Sequence, residues 1–437
     1  MQDRLRVALP VRLLAVAVGA AYVLLACGLS VPSAAPTTVP APASATPGPP
    51  TASPSPEPSP SPLPSLSPAE LEALIAEIEA SVHAIRELDA QRDVPDRVVD
   101  EVALRKDMER FISEAATPEE YAAQARLGER LGYFPADTDL AALQLGLLGD
   151  QVLGYYDEDS GELAVVQRGG AFGPLERVTL AHEYTHALQD QHFDLNTLET
   201  DDLSNGDRAL ARMTLAEGDA TLAMQQWALG NLTFEQLLEI TTRALDAEQL
   251  AALSGVPRLL ARQLEFPYLE GLVFATSLYQ AGGWAAVDAA YKAPPASTEQ
   301  IIHPEKYTSR EAPVEVAPPL TVADLGEGWT EGWSDTLGEL GIATWLEPTA
   351  GIAAAKAAAA GWGGDRVVML EATDGAWLVA WRTAWDTPAD ADAFAFAAQA
   401  QAGTLSTPAT VAHSLGSTQV EVRIASVGEL LRAVPAP

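Results

Sequence analysis

The chain has 437 residues, 48% of them hydrophobic, and 60 acidic against 26 basic side chains give a formal charge of −34. That length and apolar content suffice for a large core, with room for two domains behind an N-terminal tail. The charge excludes a nucleic-acid binder, because neutralising phosphates needs a basic footprint, and its plain reading is a soluble acidic surface.

Arg4, Arg6 and Arg12 precede the apolar run Leu13 to Ala26, LLAVAVGAAYVLLA, which is short for a membrane span and reads as a targeting segment. Cys27, the only cysteine, closes it in LLAC. Those four residues resemble the bacterial lipobox, which implies that residues 1–27 are a signal peptide whose cysteine is lipidated and becomes the new N-terminus. A signal anchor from about Val7 to Val31 is the alternative, and both expect an exported, membrane-anchored protein at the cell surface. A single cysteine allows no intramolecular disulfide. Residues 28–66 are dominated by Pro, Ala, Ser and Thr and form an extended tether, long enough to carry a folded domain through a cell-wall zone and to allow contact with it.

Order begins at Ser67-Pro68-Ala69-Glu70, a capping box with proline at the first helical position, followed by Leu71, Leu74, Ile75, Ile78, Val82 and Ile85 at helical spacing. Thr117-Pro118-Glu119-Glu120 and Thr233-Phe234-Glu235-Gln236 open two further helices in the same way. Gln151 to Gln167 reads as two short strands joined by a turn-rich DEDSG, so a hairpin precedes a helical window from about Leu175 to Gln191. Helical patterns follow at about 208–245 and 270–291. Beyond REAPVEVAPPL the character changes to strands at 366–372 and 376–385, helices at 350–360 and 388–402, and a late strand TQVEVRIAS. The expected fold class is α+β. A mostly helical domain at 67–311, with a small sheet before its central helix, is followed by a linker at 312–324 and a small α+β domain at 325–437.

The central helix contains AHEYTHALQDQHFDL. Positions four apart on a helix are about 40° apart in projection, so His182 and His186 can point two imidazoles at one ion. Glu183 can then act on a water at that ion, a zinc ion being the cofactor this pattern calls for. Two residues compete for a third ligand position. His192 has the spacing of the metzincins, HExxHxxxxxH, but Gln189 stands where that pattern has a helix-breaking glycine, and without the break His192 is rotated by about 240° and faces away. Glu217, in ARMTLAEGDATLAM on a separate helix, is the better candidate. Beside it Gly218 permits close helix approach, and Asp219 or Thr221 can orient a ligand histidine.

Together HEYTH and AEGDA resemble the gluzincin zinc metallopeptidases, in which an HExxH helix supplies two ligands and a following helix a glutamate. The resemblance implies a zincin-like fold, zinc held by His182, His186 and Glu217, Glu183 as catalytic base, and peptide or protein substrates. It also implies an edge strand that receives extended peptide by strand addition, for which GELAVV is the candidate. The NExxxD form of the thermolysin glutamate helix is absent, so no substrate preference carries over. More loosely, HALQDQHFDL, PPASTEQIIHPEKY and GWGGDR resemble stretches of largely uncharacterised secreted prokaryotic proteins of the zinc-metallopeptidase type.

An oxyanion-stabilising donor is also expected, and Tyr268, His303 and Tyr307 are the candidates, each with packing as the competing explanation. His83 and His413 read as packing or surface residues. Seven tryptophans from Trp329 to Trp385 read as core rather than as a carbohydrate platform. The rival to a peptidase is a surface-anchored binding or scaffold protein that retains the fold around a structural metal, which four protein ligands would close where a catalytic zinc keeps one position open.

Overall fold

A computed structural model describes residues 14–16, 67–166, 172–244 and 255–433. Most of the expected signal peptide and all of the tether at 28–66 lie outside the described residues. Among those described, no helix is long and apolar enough to cross a membrane.

The protein is α+β with two separate sheets. The first sheet runs β1 (Leu14–Val16), β3 (Val152–Asp157), β4 (Glu162–Val166), β2 (Asp96–Val99). β3 and β4 form the expected hairpin, antiparallel from Gly154 opposite Val165 to Asp157 opposite Glu162, while β2 adds to β4 in parallel. This corrects the edge-strand assignment. GELAVV is β4, an interior strand paired on both sides, because a distant segment with no strong periodicity of its own supplies β2. The outer edge of β3 instead receives a strand from the chain itself, Leu14–Val16 running antiparallel to it.

Among the described residues the longer helices of this domain are α1 (Pro68–Arg86), α2 (Glu101–Ala115), α3 (Pro118–Leu131), α4 (Leu140–Gln151), α5 (Pro174–Phe193), α6 (Gly206–Asn231), α7 (Phe234–Ala244), α8 (Arg258–Gly282) and α9 (Trp284–Tyr291), with two single-turn helices at Thr298–Ile302 and Pro304–Thr308 after them. The capping boxes form as their sequences require. Ser67 N–H donates to Glu70 Oε2 at 2.8 Å, and Thr117 N–H to Glu120 Oε2 at 2.8 Å, each satisfying a donor that a helix N-terminus leaves orphaned. The helix expected at 270–291 is two helices, broken at Gly283, whose φ of 67° lies in the region glycine favours. α5 is buried on nearly every face from Val178 to Asp190, as a central helix must be. It packs on Tyr156, Leu163 and Val165 of the sheet and against α1 and α6.

The second sheet is antiparallel in the order β5 (Trp329–Asp335), β6 (Trp362–Ala372), β7 (Trp377–Trp385), β9 (Gln419–Ala425), β8 (Ala409–His413). Helices α10 (Gly338–Ala350), α11 (Ile352–Ala359) and α12 (Pro388–Ala402) cover one face, and a short α13 (Gly428–Ala433) follows. Alternation along β6 divides the cores: Val367 and Met369 join the helices, whereas Val368 and Leu370 face Leu320 on the other side. Residues 312–324, expected as a linker, pack on this domain through Leu320 and through Val314 N–H, which donates to Gly363 O at 2.6 Å. Trp345, Trp362 and Trp381 are buried to 1% exposure or less, in line with tryptophan as core.

The N-terminus of α6 is seated on the second domain. Gly206 N–H donates to Asp335 Oδ1 at 2.8 Å and Asp207 N–H to the Thr336 carbonyl at 3.2 Å. Arg126 and Arg130 of α3 close the same seam on Glu371, at 3.0 and 2.7 Å.

Candidate metal centre

α5 and α6 lie side by side, and their buried faces bring His182, His186 and Glu217 together. His182 Nε2 is 3.0 Å from His186 Nε2 and 3.1 Å from Glu217 Oε2, and His186 Nε2 is 3.6 Å from the same oxygen. A tetrahedral zinc with nitrogen and oxygen ligands at about 2.0–2.1 Å holds its ligand atoms about 3.3–3.4 Å apart, and the three observed separations straddle that value.

The network behind His186 fixes its tautomer. Gln189 lies one turn on, and its Nε2 donates to the Ala216 carbonyl and to Asp219 Oδ2, both at 3.0 Å. Both acceptors demand the NH2 group, so the amide oxygen faces His186 Nδ1, at 2.8 Å, and that nitrogen carries the hydrogen. The lone pair is left on Nε2, toward the other two groups, which is the form a ligand histidine needs. Asp219 is itself held by Arg86 Nε at 2.7 Å, Arg86 Nη2 at 3.0 Å and Tyr291 O–H at 2.8 Å. It thus acts on His186 through Gln189 and not by touching it. Gln189 was visible in the sequence only as the residue that breaks the metzincin pattern. Its spacing of three from His186, which puts the two on one helix face, was the available signal.

The three groups set one another's protonation. Burial works to raise the Glu217 pKa, but His186 and His182 override it and hold the carboxyl at about 2. Burial works to lower His186, and Glu217 overrides that too, lifting the imidazole to about 9. His182 stays below its ordinary value, chiefly through burial. One ring nitrogen carries at most one hydrogen, so the close contacts among two imidazoles and a carboxylate require a proton or a metal ion between them. His182 Nδ1 and Glu217 Oε1 are buried with no hydrogen-bond partner among the described residues. The donor set and its spacing fit a zinc ion.

Glu183 is fully buried beside this group. β3 passes close to it at Gly154, where a Cβ would lie 2.7 Å from Thr179 Cγ2 and 3.2 Å from Glu183 Cγ, so any larger residue would push on the motif helix. Gly218 also serves a close approach, though with α8 and not α5: a Cβ there would meet the Gly271 carbonyl oxygen at 2.2 Å. That contact sets α8 against α6, and α8 carries Tyr268.

Of the three oxyanion candidates, the structure brings Tyr268 to the site, its ring centroid 6.1 Å from that of His182. His303 Nε2 is engaged by Glu339 at 3.1 Å and Tyr307 O–H by the Ala293 carbonyl at 2.9 Å. His192 stands outside the group, its Nε2 2.7 Å from the Asp89 carbonyl. His83 packs between Leu88 O and Tyr184 O–H, each at 2.8 Å, and His413 lies 2.7 Å from Asp392. A second acidic group, Glu299, Glu311 and Asp386, is filled by the Lys306 ammonium at 2.5–2.8 Å and offers no metal site.

Residues 328–435 match a family model described as a domain of unknown function, DUF8575. No curated protein and no solved structure matches the chain.

Proposed function

We propose that the chain is a zinc-dependent peptidase of the gluzincin type, with a zincin-like fold, tethered at the cell surface through a lipidated Cys27. The observation that carries this reading is the convergence of His182, His186 and Glu217 at separations suited to one tetrahedral ion, with Gln189 fixing the tautomer of His186. When bound, zinc supplies a Lewis acid and lowers the pKa of a water. His182, His186 and Glu217 hold it. Glu183 takes the proton of the attacking water and delivers it to the leaving amine, and Tyr268 is the donor available to the carbonyl oxygen as charge develops there. The outer edge of β3 already accepts an antiparallel strand, which suits it to an extended peptide passing beside Glu183. Cleavage before Cys27 removes Leu14–Val16 and frees that edge.

Among the described residues the group offers three donors and not four, which favours a catalytic arrangement over a closed structural one. The test compares wild type, Glu183→Gln and Glu217→Ala for zinc per chain and for hydrolysis of labelled casein. Wild type should hold one zinc. Glu183→Gln should keep it while losing about 10²–10⁴-fold in rate, and Glu217→Ala should lose the metal. Undiminished hydrolysis by Glu183→Gln would refute the mechanism.

A further inference from the structure

A cavity of about 190 Å³ runs from Glu217 and Tyr268 to the second domain, with room for roughly a dozen water molecules. That is far beyond a packing defect. Its wall is mostly apolar, with leucine the commonest residue, from α3, α4, α6 and α8, and the second domain lines one side with Trp333, Leu337 and Leu340. Polar side chains interrupt the apolar lining, the glutamines Gln124, Gln144 and Gln263 and the carboxylates of Asp207 and Asp335 among them, and two of the glutamines carry unpaired amide atoms. Gln144 is only 5% exposed, and among the described residues neither its Oε1 nor its Nε2 has a hydrogen-bond partner; Gln124 Nε2 has none either.

A buried amide left unpaired is costly, and natural cores avoid it. Gln144 offers one donor and one acceptor side by side, the complement of a peptide group, which presents the same two atoms in reverse. A fatty chain would fill the leucine wall yet leave both atoms unsatisfied. We propose that this cavity is a peptide-binding pocket. In it a large aliphatic or aromatic side chain fills the leucine-walled space, Gln144 pairs with the adjoining backbone amide, and the C-terminal domain forms part of the substrate site. Both amide atoms are covered in the present packing, so pairing takes a turn of the Gln144 side chain into the cavity, a rotamer change common on binding. The proposal deepens the peptidase reading and rests on it for the placing of the scissile bond near Glu217.

The experiment is calorimetric titration of the full chain carrying Glu183→Gln, which prevents turnover, with acetyl-leucyl-leucinamide, acetyl-glycyl-glycinamide and n-decanol, zinc content being measured on the same samples. The leucine peptide should bind and the glycine peptide should not. Adding Gln144→Leu should weaken the leucine peptide about ten- to hundredfold with zinc unchanged, and adding Leu337→Trp, which fills the cavity from the second domain, should abolish binding. Should Gln144→Leu not fold, Gln144→Asn, which withdraws the amide by one methylene, should show the same loss. Unchanged peptide affinity in the Gln144 and Leu337 variants, or no peptide binding by a zinc-loaded protein, overturns the pocket and leaves the peptidase reading standing. Binding of decanol alone, tightened by Gln144→Leu, overturns it in favour of an acyl chain. Peptide binding that depends on Gln144 in a protein without zinc upholds the pocket and removes the catalytic reading.

Discussion

Two buried carboxylates sit at the centres of the two domains and are treated in opposite ways. Asp365, on β6, accepts four hydrogen bonds: Leu337 N–H and Trp381 Nε1–H on one oxygen at 3.0 and 2.9 Å, Gly338 N–H and Trp362 Nε1–H on the other, both at 2.9 Å. Every lone pair has a fixed partner, and the group ties the start of α10 to the tryptophans of the sheet. Glu217, also buried, turns one oxygen toward two imidazole nitrogens and among the described residues has no hydrogen bond on the other. A satisfied carboxylate is a structural node. One that converges with other acceptors is arranged for a cation, because only a positive charge relieves the crowding of lone pairs.

The contrast can be broken by substitution. Asp365→Leu orphans four donors at once and should lower the stability of the chain by about 3 kcal/mol or more, read as a fall in the unfolding midpoint, while the folded protein keeps its zinc; an unshifted midpoint would deny Asp365 its structural part. Gln189→Leu should do the reverse. The fold persists, but His186 loses the partner that fixes its tautomer, and zinc affinity should drop about 10–100-fold in competition with a chromophoric chelator. Unaltered affinity would mean that the Gln189 bond does not orient the ring.

Protonation sharpens the same comparison. In the metal-free protein His186 is lifted to about 9, so at pH 7 it is charged and zinc must displace its proton. Titration in buffers of different ionisation enthalpy should therefore record release of about one proton at pH 7, falling away as pH passes 9. The stability linkage has the matching sign. The His186 contribution is complete below the unfolded value of 6.5 and is lost as pH rises through about 9. That of Glu217 is complete above 4.5 and is lost as pH falls through about 2. The smallest effect belongs to His192→Ala, a substitution at the helix end that should change stability by no more than about 0.5 kcal/mol and leave zinc content as it was. Loss of zinc in that variant would revive the metzincin spacing.

Local signals made much of this protein legible from its residues. Capping boxes at Ser67, Thr117 and Thr233 start helices because the side chain three residues on satisfies an orphaned N–H, a relation contained in four residues. The helical repeat puts His182 and His186 on one face, and the acidic glycine-flanked stretch of α6 marked Glu217. Period-two alternation wrote β6, β7 and β9 plainly, while β2 and β5 went unread, since strands that stay partly exposed on both faces carry no such contrast.

What no local rule contains is which distant segments meet. The pairing of β2 with β4, which moves GELAVV from the edge to the interior, joins residues more than sixty positions apart. Arg86 reaches from α1 to Asp219 on α6 and so steadies Gln189 and His186 from a third element. Gly218 meets α8 and not α5, and the second domain walls the cavity beside Glu217. The amino-acid sequence by itself determined the chemistry carried by each helix, through periodicity and capping within a turn or two. The tertiary structure alone decided how those chemistries are oriented and what surrounds them, because hydrogen bonds and packing between remote segments depend on the whole chain's arrangement and leave no periodic trace.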